Sequence, residues 1–272
     1  MEPVERERVM LRRNFGGPSA ARARGGFTLV ELLVVIIIIS ILAAIAVPAV
    51  MRAVATANNA RIKTEIDMLH MAIMQYKNEY GSFPPAVDVD TAGNGGRINK
   101  HIQRLFPRAP VAFLLNNASA SLMMPNTALV GWLVGYSDDP TNPMGIVSGS
   151  GGGAALPGVT KKKLFDFDSS RVSGGQFTAP SKPGSPYVYV DSASYSIYDS
   201  TASSPAGPFG GIYYSHRAAT KAVPNFVTPT QPYANADTFQ ILSAGRDEKF
   251  GNDDDMSNFW PSTRKDYLDS LK

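Results

Sequence analysis

The residues best placed for chemistry in this chain are acidic, and they form two groups. Glu31 stands alone as the ionisable residue in an apolar run of 24 residues, Phe27 to Val50. A carboxylate in such a segment costs about 2.5–3.5 kcal/mol at mid-bilayer and less near the interface. It is tolerable when it meets an opposite charge and hydrogen bonds, so Glu31 demands a partner. The second group is Asp247 with the run Asp253-Asp254-Asp255, interleaved with Gly245 and Gly251. Adjacent carboxylates repel one another unless a cation sits among them. Calcium takes six to eight oxygens at about 2.3–2.6 Å, and a short glycine-bearing loop can supply carboxylates and carbonyls from one turn. The order of residues is not that of an EF-hand. A solvated acidic turn is the plain alternative.

No other constellation suggests a reaction. His70, His101 and His216 are far apart in sequence, and there are no cysteines. Neither G-x-S-x-G nor H-E-x-x-H occurs. Asp138-Asp139 precede Pro140 and read as turn residues. The glycine-serine stretch at 148–158 lacks a lysine at phosphate-loop spacing. The chain therefore reads as non-enzymatic.

The elements that must carry these acids begin with a helix. At ~1.5 Å per residue, the apolar run would extend roughly 36 Å, enough for a ~30 Å hydrocarbon core. It is too long for a secretory h-region, although Ala44-Ile45-Ala46 would offer a small-residue cleavage site. A simple membrane anchor would satisfy the run but not Glu31. Beyond Pro48, Ile62, Ile66, Leu69, Ile73, Tyr76 and Tyr80 fall at alternating spacings of 4 and 3, one stripe of a helix. Gly81 is placed to cap it and Pro84-Pro85 forbid continuation. The expectation is one helix from about Phe27 to Tyr80, kinked or locally melted at Pro48. Its second half would lie on a sheet; a coiled coil would show a similar stripe.

The remaining 81–272 is long enough for one globular domain, with a Gly/Pro/Ser-rich insertion around 86–180. Within it, Ile98–Phe106 suggests a short helix, and Ala128–Tyr136 a buried strand or helix turn. Strand patterns follow at Tyr187–Val190, Gly211–Tyr214 and Thr238–Leu242. Residues 1–26 hold six Arg and three Glu, so they carry the whole chain's net +3 and leave 20 basic and 20 acidic residues beyond. The basic balance is thus no argument for nucleic-acid binding. It does fit cytoplasmic retention of the segment before the apolar helix.

The string Gly25-Gly26-Phe27-Thr28-Leu29-Val30-Glu31-Leu32, with the aliphatic run and Pro48, resembles the class III signal of type IV prepilins and type II secretion pseudopilins. The resemblance implies that a prepilin peptidase cuts between Gly26 and Phe27 and methylates the new N-terminus. Residues 1–26 would then be a cleaved leader, and Glu31, fifth in the mature chain, would pair with the N-terminal ammonium of a neighbouring subunit. Leu242–Trp260 is similar to the C-terminal calcium loop of the G-type major pseudopilins, through Ser243, Gly245, Asp247, Gly251, Asp253–Asp255 and Trp260. That likeness implies calcium held by carbonyls near Leu242 and Ser243 and by Asp247, Asp254 and Asp255. Glu248 departs from the family, which commonly has glycine there. Segment 183–189 matches the family's turn and strand only in its strand part.

The fold implied is α+β: a long N-terminal hydrophobic helix packed on a small antiparallel sheet, pilin-like, with a C-terminal calcium loop. The implied function is structural, a subunit of a pseudopilus driving protein export through an outer-membrane secretin. Its partners would be other copies of itself, minor pseudopilins, an inner-membrane assembly platform and the membrane. The protein would be single-pass in the inner membrane, with its globular domain in the periplasm. A type IV pilus subunit for adhesion, motility or DNA uptake is the alternative, and a membrane-anchored binding or hydrolytic module a second.

Overall fold

A computed structural model of the chain describes residues 26–86, 96–109, 124–143, 160–180, 184–198, 216–217 and 232–272. The chain divides into two compact units, Met1–Met51 and Arg52–Lys272. Helix α1, Leu29–Tyr80, contributes its first part to one and its remainder to the other. The helix continues through Pro48, so the local melting expected there does not occur. In a segment without polar neighbours, opening the helix would strand several backbone groups, a larger cost than the single bond proline removes. The first unit's aliphatic side chains, Leu29 to Val50, are exposed along the helix.

In the second unit the expected stripe is the buried face of α1. Ile62, Ile66, Leu69, Ile73 and Tyr76 are buried and Tyr80 is half-buried. Burying each aliphatic side chain contributes about 1.5–3 kcal/mol. The helix ends at Gly81, whose φ of +79° places it in the left-handed region as its N–H donates to Lys77 O at 2.7 Å.

The stripe packs on a three-stranded antiparallel sheet of order β5 (Val188–Asp191), β6 (Phe239–Ser243) and β7 (Met256–Ser257). Register pairs Tyr189 with Ile241 and Ser243 with Met256. Every residue of β5 and β6 is buried, so both faces are covered. On one, Phe239 packs against His70 of α1 and Phe83. On the other, the Gln240 amide is buried and donates to the carbonyls of His216 and Ala234. Two further ladders are short hairpin pairs: β1 (Tyr136–Ser137) with β2 (Lys161–Lys162), and β3 (Val172–Ser173) with β4 (Gln176–Phe177).

The described parts of 86–180 help build this core. Helix α2, Arg97–Leu105, supplies Ile98 and Ile102; helix α3, Ala128–Leu133, supplies Leu129, Trp132 and Leu133. Ala128–Tyr136 thus divides, its helix ending before Tyr136 enters β1. The Gly-Ser stretch 148–158 and the strand pattern at 211–214 lie outside the described residues.

A half-buried ionic cluster ties α1 to the rest of its unit. Arg171 grips both carboxylate oxygens of Glu65 at 2.5 and 2.6 Å, and Tyr187 donates to the same carboxylate at 2.6 Å. The Arg171 guanidinium also donates to Thr178 O and lies 4.5 Å from the Phe177 ring centroid. Charge-assisted, bidentate pairing of this kind fixes geometry as well as adding energy. Helix α4, Arg264–Ser270, closes the chain behind a capping box made by Thr263 and Asp266.

Candidate functional site

The N-terminal motif is laid out at the start of α1. Phe27 is 80% exposed, and a side chain added at Gly26 would meet open space. Glu31 has a local partner that the sequence reading missed. Its carboxylate accepts from the Thr28 N–H at 2.9 Å and the Thr28 hydroxyl at 2.8 Å, while Thr28 Oγ1 accepts from the Glu31 N–H at 3.2 Å. This is a reciprocal capping box: the hydroxyl satisfies one orphan N–H of the first turn and the carboxylate another. The signal was present in sequence as Thr-x-x-Glu at the head of the apolar run. Glu31 therefore caps its own helix and still presents an anion at the end where the macrodipole favours one. The α1 helix is long and apolar enough to cross a membrane.

The C-terminal acidic loop joins β6 to β7. Ser243 and Met256 are register partners, so the loop's two ends are held together by the sheet. Gly245 has φ of +65°, and a β-carbon there would run into the backbone and carboxylate of Asp254. Glu248, the departure noted in sequence, also has positive φ, +63°. It occupies the left-handed conformation that glycine adopts without cost.

The carboxylates are held by the loop's own amides. Asp254 Oδ2 accepts from the N–H groups of Arg246 and Asp247 at 2.8 and 3.0 Å. Asp247 accepts from Lys249 N and from the Asn252 side chain. Asp255 Oδ2 accepts from Gly251 N at 2.7 Å and Asn252 N at 3.2 Å. Its carboxyl is buried, which pushes its pKa up to about 7 against the pull of the Gly251 amide and the Arg264 charge. Asp255 Oδ1 and Ser243 Oγ are buried oxygens with no hydrogen-bond partner. Leu242 is buried in β6 opposite Ser257. Among the described residues no three His, Cys, Asp or Glu side chains stand together as a metal-holding group. Asp247 and Asp254 are linked through the Asp247 amide, while Asp255 turns inward.

The three histidines do not converge. His70 packs on Phe239 and contacts the Asn258 amide at 3.1 Å. His216 is buried against Trp260, and burial lowers its pKa to about 3. His101 is buried with Nε2 2.7 Å from Tyr76 Oη, which lies 2.5 Å from Tyr136 Oη. Burial, then the Arg104 and Arg97 charges, lower its pKa to about 4. Asp139 accepts from Thr141 in a turn, as its sequence suggested.

Residues 21–47 match the family model of the prokaryotic N-terminal methylation motif. No curated protein and no solved structure matches the chain. A methylation motif at the head of a long apolar helix, on an α+β unit built around a small antiparallel sheet, marks the chain as type IV pilin-like.

Proposed function

We propose that this protein is a structural subunit of a type II secretion pseudopilus. In this reading the leader is removed between Gly26 and Phe27, α1 anchors the subunit in the inner membrane with Arg52–Lys272 on the periplasmic side, and subunits are drawn from the membrane into a filament. One observation carries it: a lone carboxylate, Glu31, the fifth residue beyond the scissile bond, in a helix whose aliphatic surface is exposed from Leu29 to Val50. Exposed apolar surface of that extent needs lipid or other helices. Bundled copies would supply both the apolar contacts and, from a neighbour's N-terminal ammonium, the charge that Glu31 lacks.

The capping box sets the test. Glu31→Gln keeps a side-chain acceptor for the Thr28 cap but removes the charge, whereas Glu31→Leu removes both. If the carboxylate pairs with a neighbour's ammonium, both variants insert into membranes normally and both lose filament assembly. Assembly by Glu31→Gln at the wild-type level would leave the residue only its capping role.

What favours secretion over a pilus is the acidic loop, and the proposal includes a calcium ion there. The donor chemistry supports it: Asp255 Oδ1 and Ser243 Oγ are buried hard oxygens without partners. Asp247, Asp254 and carbonyls near Leu242 and Ser243 would complete the set, with the ion offsetting the carboxylates' mutual repulsion. The chain's own residues already bring the loop ends together and shield Asp255 from water. A pilus subunit is the second reading, since the methylation motif is common to both.

A further inference from the structure

A groove of about 530 Å³ runs along α1 in the second unit. Thr64, Met68, Met71 and Gln75 form one wall, and Leu164 with Phe165, just after β2, forms the other. Met68 and Met71 are 46% and 68% exposed, so α1 carries apolar side chains on a face that the sheet does not use. Methionine adapts to whatever packs on it, and apolar patches rimmed by polar groups mark binding surfaces. The face begins earlier on the helix: Ala57, Arg61, Thr64, Met68, Met71 and Gln75 repeat at spacings of 4, 3, 4, 3 and 4, all exposed. That is the spacing with which one helix lies along another. We propose that the groove receives α1 of a second copy of this chain, parallel to the first and displaced along it so that Arg61 of the second copy meets Asp67 and Asp166. The inference rests on the filament reading, in which every copy is anchored in one membrane by the same end of α1.

Charge selects this occupant. Asp67 and Asp166 rim the groove, and each meets one lysine, Lys63 and Lys163, through Oδ1 alone. Surface pairs of this kind hold their partners weakly, and both Oδ2 atoms remain open to a further donor. Arg61 is exposed and has no hydrogen-bond or ion-pair partner among the described residues. Its planar fork of N–H donors suits carboxylates. Arg61 precedes Asp67 by six positions on the same helix, so pairing them between copies demands an axial offset of about 9 Å. The same offset sets Thr64 of the second copy level with position 70, between Met68 and Met71, where a small side chain lets the helices close together. Copies in exact register would instead bring Arg61 against Arg61.

The test is crosslinking between full-length chains, which have no cysteine of their own. Arg61→Cys and Asp166→Cys variants are co-produced in one membrane and treated with a short bismaleimide, and the joined peptides are identified by mass spectrometry. The 61–166 heterodimer should clearly exceed both homodimers. A second pair, Thr64→Cys with Met71→Cys, reports the charge: Arg61→Glu added to the first chain should lower its yield roughly tenfold, and Asp166→Arg added to the other should recover it. All four positions are exposed, so the variants should melt as wild type does. A 61–166 product no stronger than the homodimers, or a 64–71 product indifferent to Arg61→Glu, overturns the proposal. Electron microscopy separates this failure from that of the filament reading. Filaments without the 61–166 link would sink the proposed pairing alone, whereas the link without filaments would keep the pairing and count against the pseudopilus.

Discussion

Replacing His101 by glutamine should make the globular unit more resistant to acid. The imidazole is buried against Tyr76 and Trp132, with Arg104 and Arg97 near it and Asp191 as the nearby anion. It is neutral when folded, with a pKa of about 4 against an ordinary 6.5. The unfolded chain therefore binds a proton as pH falls through 6.5 while the folded chain does not, so this residue costs stability on acidification, progressively down to about pH 4. From pH 7 to pH 5 the linked loss is about 2 kcal/mol, approaching roughly 3 kcal/mol near pH 4. Urea unfolding of the full chain in a mild detergent, followed by tryptophan fluorescence, would measure it; Trp132 lies 5.3 Å from the His101 ring. The comparison is each protein's own loss between pH 7 and pH 5. The variant's cost at neutral pH, the similar loss from His216 and the opposite trend from Asp255 then cancel. Wild type should lose about 2 kcal/mol more than His101→Gln. Equal losses, or an NMR titration placing His101 near 6.5, would refute the assigned burial and its electrostatics.

Gly26→Val should leave residues 1–26 attached, seen by mass spectrometry as a chain lacking a methylated Phe27 start. Because the position is open, the fold itself should be unchanged, and cleavage at the wild-type rate would contradict the processing site. Arg171→Met strands the half-buried Glu65 carboxylate with only the Tyr187 hydroxyl, and should cost about 3 kcal/mol in urea unfolding. A loss under about 1 kcal/mol would reduce the pair to a surface contact. Calcium at a hundredfold excess over its Kd should stabilise the chain by about 2.7 kcal/mol relative to chelator. Asp254→Ala with Asp255→Ala should erase that difference, and melting indifferent to calcium would favour the pilus reading.

What the sequence alone determined is whatever local periodicity and covalent geometry dictate. The apolar run, the 3-4 stripe from Ile62 to Tyr80 and the Gly81–Pro85 stop define α1 within two residues, because a long helix states its buried face every turn. The methylation motif is likewise linear, and so is the Thr28-x-x-Glu31 pattern of the capping box. The β5 and β6 strands showed through their aromatic and β-branched residues. Only tertiary structure decided what those residues meet. Glu65, Arg171 and Tyr187 are separated by up to 122 positions and join only when the hairpin and sheet fold onto α1. The exposed Met68 and Met71 face of α1 acquires a groove only because Leu164 and Phe165 lie across from it. In the acidic loop, composition suggested three carboxylates around an ion. The fold adds what composition could not show: backbone amides answer Asp254 and Asp255, and one oxygen of Asp255 is buried because the β6–β7 register draws that residue inward. Side-chain composition sets the charge of a loop; the backbone path sets which atoms can answer it.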